Sequence, residues 1–237
     1  MNIAIILAGG TGTRLGGNVP KQYLTVNEKP IIAFSLETFQ HHPNVDKIVI
    51  VANAEWEVYL LEILEQYGID KFAGFAPAGE SRQHSVLNGM RVARSLEGAG
   101  ADEDLVLVHD AARPNASSRM LDEALRLEGR DATLPVIPIP DTTYYSEDGQ
   151  EITQLLDRDK LYAGQTPETF LLNKFYAVHE KMSDAELCAV RGACQLAYSK
   201  GLSVRLYAGE YANYKITTMV DLEKFRSEKQ EDAGRNV

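Results

Sequence analysis

A glycine-rich segment near the amino end of the chain is the feature that points most directly to chemistry. Residues 3–7 are apolar and lead into 8–14, Ala-Gly-Gly-Thr-Gly-Thr-Arg. An apolar run of this length before glycines predicts a buried strand that enters a loop. Glycines let backbone N–H groups turn toward one concavity, and such concavities bind anions. Because Arg14 and Lys21 add two positive charges beside the loop, the segment predicts a polyphosphate site.

Two common phosphate-binding patterns do not fit this loop. The dinucleotide fingerprint G-x-G-x-x-G needs a final glycine, and counting from Gly10 that position is Leu15. The Walker pattern needs Lys and then Ser or Thr after its last glycine, but Asn18 follows Gly17. A glycine turn without a ligand would also explain the glycines alone, and the neighbouring cations favour the phosphate interpretation.

A second candidate, His109-Asp110, ends a predicted buried strand at residues 104–109. A carboxylate at a strand's carboxyl end, facing a phosphate loop, suits Mg²⁺, which takes one or two carboxylates with phosphate oxygens and water. Asp110 is therefore the predicted metal ligand, although an Asp in such a place is by itself more often a helix cap or turn residue. His109 receives no catalytic role, because a lone histidine at a strand end is usually structural.

Two further segments contain candidate ligand residues. Residues 79–86 stand just before a predicted helix, where backbone N–H groups and small side chains could contact the edge of a base. A simple helix cap explains these residues equally well. Lys215 stands between Tyr214 and Ile216 on a short extended segment, which predicts a partly enclosed position for its charge.

The composition is that of a globular protein with an acidic balance of charge. The 237 residues fit one large domain, and the net charge of −10 argues against broad binding to nucleic acid or membranes. No apolar stretch approaches the roughly 20 residues that span a bilayer, and no basic leader is evident, so we expect a cytoplasmic protein. Cys188 and Cys194 are expected to be reduced packing residues on one predicted helix.

These candidates need elements to position them, and predicted strands and helices alternate along the chain. Strands are predicted at 3–7, 47–51, 104–109, 133–139 and 203–207, and helices at 31–40, 55–67, 82–96, 117–127, 174–182, 184–199 and 219–229. This alternation predicts βαβ units and an α/β fold with a mostly parallel sheet. Ligands of such sheets bind beyond the carboxyl ends of the strands, where the glycine loop and Asp110 both lie.

The segment 141–160 interrupts this alternation. The β-forming residues 142–145 and 151–156 flank Asp148-Gly149, which is a good hairpin signal. An isolated hairpin is only marginally stable, so we expect it to pack on another surface, for example that of a second subunit. The remainder of 1–229 is expected to form a single domain, followed by a frayed tail at 230–237.

Taken in order, these segments resemble one family, the cytidylyltransferases that act on small polyol phosphates. The matching pieces are 7–14, 20–23, Arg82 with 85–86, 109–114, 141–142, 157–158, 165–167 and 213–217. The resemblance implies transfer of CMP from CTP to methylerythritol 4-phosphate, in isoprenoid synthesis, or to ribitol 5-phosphate, in teichoic-acid or capsule synthesis. It also implies a three-layer α/β/α, Rossmann-like nucleotidyltransferase fold whose extended arm, about 141–160, is exchanged across a homodimer.

The resemblance further implies roles for individual residues. CTP would be bound by Ala8, Gly9, Gly10, Thr11, Gly12, Gly79, Glu80, Arg82, Ser85 and Asp110. Arg14, Lys21 and Lys215 would be the catalytic cations at the phosphates, and Asp110 would bind Mg²⁺. The polyol phosphate would contact Thr142, Arg158 and Thr166, with Arg158 reaching in from the neighbouring subunit.

The resemblance to the two branches of this family differs from segment to segment. Segments 165–167, 193–194 and 209–218 are more similar to the ribitol-phosphate branch, which we favour, whereas 85–89 and 109–114 are more similar to the methylerythritol branch. Both branches usually carry Thr-Asp where this chain has Arg191-Gly192. Because that Thr is expected near the polyol, we hypothesise that Arg191 contacts the substrate and changes the acceptor pocket.

Two other functions remain compatible with the sequence. The first is a nucleotidyltransferase that transfers a different nucleotide to a sugar phosphate or to molybdopterin. The second is a non-catalytic binding protein on the same fold, which loss of Arg14, Lys21 or Asp110 would indicate. All three residues are present in this chain, and only Arg191-Gly192 favours the second alternative.

Overall fold

The computed structural model describes residues 1–10 and 19–235 of the chain. In these ranges the strands are β1 (Asn2–Leu7), β2 (Thr25–Val26), β3 (Lys29–Pro30), β4 (Lys47–Ala52), β5 (Phe72–Pro77), β6 (Leu105–Asp110), β7 (Ala132–Pro138), β8 (Tyr144–Tyr145), β9 (Gln154–Leu155), β10 (Tyr162–Gly164), β11 (Glu168–Leu171) and β12 (Val204–Ala208). The helices are α1 (Ile31–His41), α2 (Glu57–Gln66), α3 (Arg82–Ser95), α4 (Ser118–Ala124), α5 (Leu172–Glu180), α6 (Asp184–Ala189), α7 (Ala193–Ser199) and α8 (Met219–Arg235).

An eight-stranded sheet forms the centre of the molecule, in the order β10-β7-β11-β6-β1-β4-β5, with β12 beside β7. Strands β5, β4, β1 and β6 are parallel to one another, whereas β11 inserts antiparallel between β6 and β7. This mostly parallel sheet confirms the predicted α/β class.

Helices cover both faces of this sheet, because successive side chains of a buried strand point to opposite faces. Ala4 and Ile6 of β1 pack in one core cluster with residues of α1, α2 and α4. Ile3 and Ile5 pack in a second cluster with residues of α3, α5, α6 and α7. The result is the predicted arrangement of three layers.

Several elements differ from the prediction. Strands β5 and β11 were not predicted, since Ala-Gly-Phe-Ala in β5 has low strand propensity and β11 is only four residues long. The predicted helix 184–199 is two helices, interrupted at 190–192, where Gly192 caps α7 in extended backbone. As a result Cys188 is exposed and only Cys194 is a buried packing residue.

The final helix is longer than predicted. Helix α8 continues to Arg235, beyond the predicted end at 229, and residues 236–237 of the predicted tail lie outside the described residues. Across the described residues no helix is long and apolar enough to cross a membrane.

The hairpin predicted in the segment 141–160 is present. Strands β8 and β9 pair antiparallel, with Tyr144 opposite Leu155. Its apolar side chains point to solvent in the single chain: Tyr144 is 57% exposed and Leu155 is 84% exposed. An exposed apolar hairpin of this kind fits the expectation that it packs on another surface.

Candidate active site

An open cavity of about 600 Å³ lies beyond the carboxyl ends of β1 and β6, where the predicted ligand residues converge. The parallel register places Leu7 directly beside Asp110, so Gly9 and Gly10, which follow β1, lie at the same end of the sheet as Asp110. The cavity is lined by these predicted residues: Gly9, Gly10, Lys21, Gly79, Glu80, Arg82, Ser85, Asp110 and Lys215. Gln22, Ser81, Ala112 and Thr217 also line it, without having been predicted.

The glycine segment is held by the buried side chain of Gln22. Its amide Nε2 donates to the carbonyl of Ala8 at 2.5 Å and to that of Gly10 at 2.9 Å. Ala8 itself is 2% exposed and is absent from the cavity wall, so its place is beneath the loop. Gly9 must lack a side chain, because a Cβ there would come within 2.4 Å of the Cβ of Ala78. The predicted ligands Thr11, Gly12 and Arg14 lie outside the described residues.

The opposite wall is formed by the turn before α3. Ser81 caps this helix by accepting a hydrogen bond from the backbone N–H of His84, so the cap interpretation of the segment is correct. The N–H of Gly79 donates to the hydroxyl of Ser85 at 3.0 Å. A Cβ on Gly79 would lie 2.3 Å from the Cβ of His84, which explains the glycine. The same residues thus cap the helix and form part of the cavity wall.

Asp110 is the centre of a buried charge cluster on the cavity floor. Oδ2 lies 2.8 Å from Nζ of Lys215 and 3.8 Å from Nε of Arg113, and Oδ1 lies 3.4 Å from Nε of Arg82. Burial by itself raises the pKa of Asp110, but the charges of Arg82, Lys215 and Arg113 outweigh it and hold that pKa well below its usual range. The carboxylate is therefore ionised at neutral pH.

Glu168 extends this cluster, although it was not among the predicted site residues. Its Oε2 accepts from Nη2 of Arg82 at 2.8 Å, and the side chain is almost fully buried. These two carboxylates raise the pKa of Arg82, although burial alone would lower it. Glu168 directly follows the matched segment 165–167, but β11 was not predicted, so nothing in the sequence placed it opposite Arg82.

The donors present fit one protein ligand for a divalent cation. Among the residues that the structure describes, no group of three or more His, Cys, Asp or Glu could hold a metal ion by itself. Asp110 is ionised and lines the cavity, and Mg²⁺ commonly takes one carboxylate with phosphate oxygens and water. The site therefore fits a cation that arrives with a polyphosphate.

Thr166 and His109 support Asp110 from behind the cavity. The Oγ1 of Thr166 accepts from the backbone N–H of Asp110 at 3.2 Å and lies 3.0 Å from Nδ1 of His109. The other ring nitrogen of His109 lies 3.1 Å from the carbonyl of Arg113. Burial lowers the pKa of His109 to about 4, so the ring is neutral and structural. Thr166 is only 4% exposed and does not line the cavity in the single chain, so its expected contact with the polyol stays a prediction.

The structure of a single chain does not bring the other three acceptor candidates to the cavity. Thr142 and Arg158 are exposed on the segment 141–160, and Nη1 of Arg158 donates to the carbonyl of Pro140 at 3.3 Å. Arg191 is exposed between α6 and α7 and is absent from the cavity wall.

Comparison with known proteins gives close matches over nearly the whole chain. Residues 2–227 match the family model of IspD, 2-C-methyl-D-erythritol 4-phosphate cytidylyltransferase. Ribitol-5-phosphate cytidylyltransferase of Streptococcus pneumoniae serotype 2 (strain D39 / NCTC 7466) is 34% identical over 235 residues, which are 98% of this chain and 100% of that protein.

Solved structures agree with the sequence comparison. The 4-diphosphocytidyl-2C-methyl-D-erythritol synthase of Anaerococcus prevotii DSM 20548 superposes with a TM-score of 0.80 at 25% identity, over 97% of this chain and 96% of that one. The 2-C-methyl-D-erythritol 4-phosphate cytidylyltransferase of Francisella tularensis has a TM-score of 0.77 at 26% identity, over 94% and 97% of the two chains.

Proposed function

The chain belongs to the 2-C-methyl-D-erythritol 4-phosphate cytidylyltransferase family, and we propose that it transfers CMP from CTP to ribitol 5-phosphate. The products are CDP-ribitol and pyrophosphate. The observation that carries the transfer reaction is the cavity that Gly9 and Gly10 line together with Asp110, Lys215 and Lys21. The observation that favours ribitol is the full-length similarity to a ribitol-5-phosphate cytidylyltransferase.

The reaction requires two anions to approach each other. A phosphate oxygen of the acceptor attacks the α-phosphorus of CTP, and the bond from that phosphorus to the bridging oxygen of the β-phosphate breaks. The acceptor phosphate is already ionised, so no strong general base is required. Catalysis then consists of positioning and of neutralising charge on the phosphates.

The cations of this chain have separate places in the proposal. Lys21 lines the cavity beside the glycine segment and would hold the triphosphate together with Arg14. Lys215 would contact the α-phosphate or the incoming phosphate, because Asp110 keeps its amine at the cavity floor. Gly79, Glu80 and Ser85 form the wall at which we place cytosine and ribose.

Asp110 would hold Mg²⁺ in this proposal. The ion, when bound, supplies positive charge that offsets the negative charge of the phosphates. Asp110 is suited to this role because its carboxylate stays ionised in the presence of three cations.

The acceptor site is completed, in our proposal, by a second copy of the chain. The hairpin of segment 141–160 exposes apolar side chains that a homodimer would bury. Thr142 and Arg158 lie on this segment and would reach the partner's cavity, whereas Thr166 would act indirectly by holding Asp110. Arg191 stays a candidate residue for selecting the acceptor. We also propose that the protein is located in the cytoplasm.

A second candidate acceptor is 2-C-methyl-D-erythritol 4-phosphate, which the family model and the superposed structures favour.

Nucleotide choice is tested first, by incubating the protein with Mg²⁺, ribitol 5-phosphate and either CTP, UTP, GTP or ATP. Mass spectrometry should find a nucleotide-polyol product with CTP alone. A product from another nucleotide would refute the cytidylyl assignment. No product with ribitol 5-phosphate, or with methylerythritol 4-phosphate tested in the same way, would favour a non-catalytic protein.

A further inference from the structure

Arg82 is shared unequally between two buried carboxylates. Its Nη2 lies 2.8 Å from Oε2 of Glu168, whereas its Nε and Nη2 lie 3.4 and 3.5 Å from Oδ1 of Asp110. The shorter contact is a full charge-assisted hydrogen bond, and the longer ones are at the limit of hydrogen-bond distance. Glu168 therefore binds Arg82 more strongly than Asp110 does.

Glu168 is itself fixed on both sides. Strand β11 holds its backbone opposite Val108 of β6, two residues before Asp110. Its second oxygen, Oε1, accepts from the backbone N–H of Cys194 at 2.8 Å, at the beginning of α7. A carboxylate can accept hydrogen bonds on both oxygens, whereas an amide in this place would present a donor to one of its two partners. Both contacts therefore use an acceptor oxygen of the Glu168 side chain.

The negative charge of Glu168 determines which cations pair with the carboxylate of Asp110. Three cations, Arg82, Arg113 and Lys215, surround the largely buried carboxylate of Asp110. Without the negative charge of Glu168, Arg82 would have only Asp110 as a carboxylate partner within this cluster. Arginine and carboxylate form strong paired hydrogen bonds, so the guanidinium would move onto Asp110 and occupy it.

We propose that Glu168 is a positioning residue that holds Arg82 back from Asp110 and so keeps the Asp110 carboxylate available to Lys215 and to a divalent cation. The inference rests on the proposed function for the identity of the nucleotide and the cation. It concerns a residue that does not line the cavity and that acts only through Arg82.

The test compares Glu168→Gln with a matched control on the same strand. Glu168→Gln preserves size and removes the charge. The control is Thr169→Val, at the next position of β11, where the buried hydroxyl finds no hydrogen-bond partner among the described residues. A double variant, Arg82→Gln with Glu168→Gln, removes the guanidinium that Glu168 would restrain.

The first readout is binding without turnover. Calorimetric titration gives the affinity for CTP with Mg²⁺ and with a chelator, in the absence of any acceptor. We expect Mg²⁺ to strengthen CTP binding in the wild type and in Thr169→Val. In Glu168→Gln we expect this Mg²⁺-dependent gain in affinity to be about tenfold smaller. The gain is the ratio of the CTP affinities with and without Mg²⁺ in the same protein, so a loss of CTP affinity from removing Arg82 itself cancels. The double variant should recover this gain, because no guanidinium is left to occupy Asp110.

The second readout is turnover. Glu168→Gln should lower kcat by about 10- to 100-fold and raise the Mg²⁺ concentration for half-maximal rate, with a smaller change in the KM for the acceptor. A purely structural role would lower the unfolding temperature and leave the Mg²⁺ requirement unchanged.

Three results would overturn the inference. They are an unchanged Mg²⁺ gain in Glu168→Gln, a double variant whose Mg²⁺ gain is as small as that of Glu168→Gln, and a wild type whose CTP affinity does not change with Mg²⁺. If Glu168→Gln does not fold, the double variant alone is compared with the wild type, and loss of its Mg²⁺ gain contradicts the proposal. A wild type that binds CTP with Mg²⁺ but forms no product would refute the proposed reaction while the binding comparison remains valid.

Discussion

The amine of Lys215 lies 2.8 Å from Oδ2 of Asp110, which joins the last part of the chain to the end of strand β6. The neighbouring N–H of Ile216 donates to the carbonyl of Ala112 at 2.9 Å, so the whole segment is fixed beside the cavity. This pair keeps a cation and an anion of the proposed site together before any substrate binds.

Replacing Lys215 with alanine removes the cation that we place at the α-phosphate. We expect kcat to fall by about 10²–10³, the range for loss of one electrostatic donor at a transition state. Lys47→Ala is the control, because Lys47 is exposed at the opposite, amino-terminal end of β4. A Lys215→Ala rate within about threefold of the control would remove Lys215 from the catalytic set.

Lys21→Ala tests the phosphate-binding interpretation of the glycine segment. Lys21 lines the cavity next to Gly9 and Gly10, and its loss should lower kcat/KM by about 10²–10³. Steady-state kinetics with CTP varied at fixed acceptor measures the effect. Near-wild-type turnover in Lys21→Ala would refute this assignment.

The acceptor hypothesis is tested by changing Arg191-Gly192 to Thr-Asp. We expect the ratio of kcat/KM for ribitol 5-phosphate and methylerythritol 4-phosphate to change. Gly192 caps α7, and an Asp cap accepts from the first helical N–H groups, so stability should rise slightly. The single Gly192→Asp variant separates this cap effect from acceptor choice. An unchanged ratio in the double variant would count against a role for Arg191.

The proposed homodimer is tested on the exposed hairpin. Leu155 is 84% exposed in the single chain, and Leu155→Glu would place a charge in the interface that we propose. Light scattering should then show a monomer, and turnover should fall because Thr142 and Arg158 no longer reach a partner's cavity. Val58→Glu is the control, since Val58 is 70% exposed on α2. A Leu155→Glu protein with unchanged mass in solution would contradict the arm interface.

The buried ring of His179 should make the free energy of unfolding depend on pH. Burial lowers its pKa from 6.5 to about 4, so folding favours the neutral ring. The resulting stabilisation, at most about 3 kcal/mol, is complete above pH 6.5 and is lost as the pH falls from 6.5 toward 4. Urea unfolding at a series of pH values should show a shallower loss for His179→Gln than for the wild type. His41→Gln, at an exposed histidine, is the control, and equal pH slopes in all three proteins would disprove this account.

The sequence was most informative where a predicted strand ends in residues that can bind a ligand. The glycine segment and Asp110 could be placed at one end of the sheet, because parallel strands present their carboxyl ends on the same side. Lys215 was joined to them only by the family resemblance. Gly9 and Gly79 proved necessary for a reason that the sequence alone does not show, the close approach of Ala78 and His84.

Long-range pairing was less predictable. Strand β11 is short and becomes a strand only between β6 and β7, so Glu168 and its contact with Arg82 could not be foreseen. Thr166 was singled out by the resemblance, but its partners are His109 and the backbone of Asp110, which only the fold brings beside it. Side chains that act across a dimer cannot be placed from the pattern of one chain.

The most direct test of the account is pyrophosphate release from CTP and Mg²⁺ by the purified protein, with ribitol 5-phosphate and with methylerythritol 4-phosphate in parallel. The account predicts a higher kcat/KM with ribitol 5-phosphate. A clear preference for methylerythritol 4-phosphate would contradict the proposed acceptor and leave the cytidylyl transfer intact. Release with neither acceptor would contradict the proposed function.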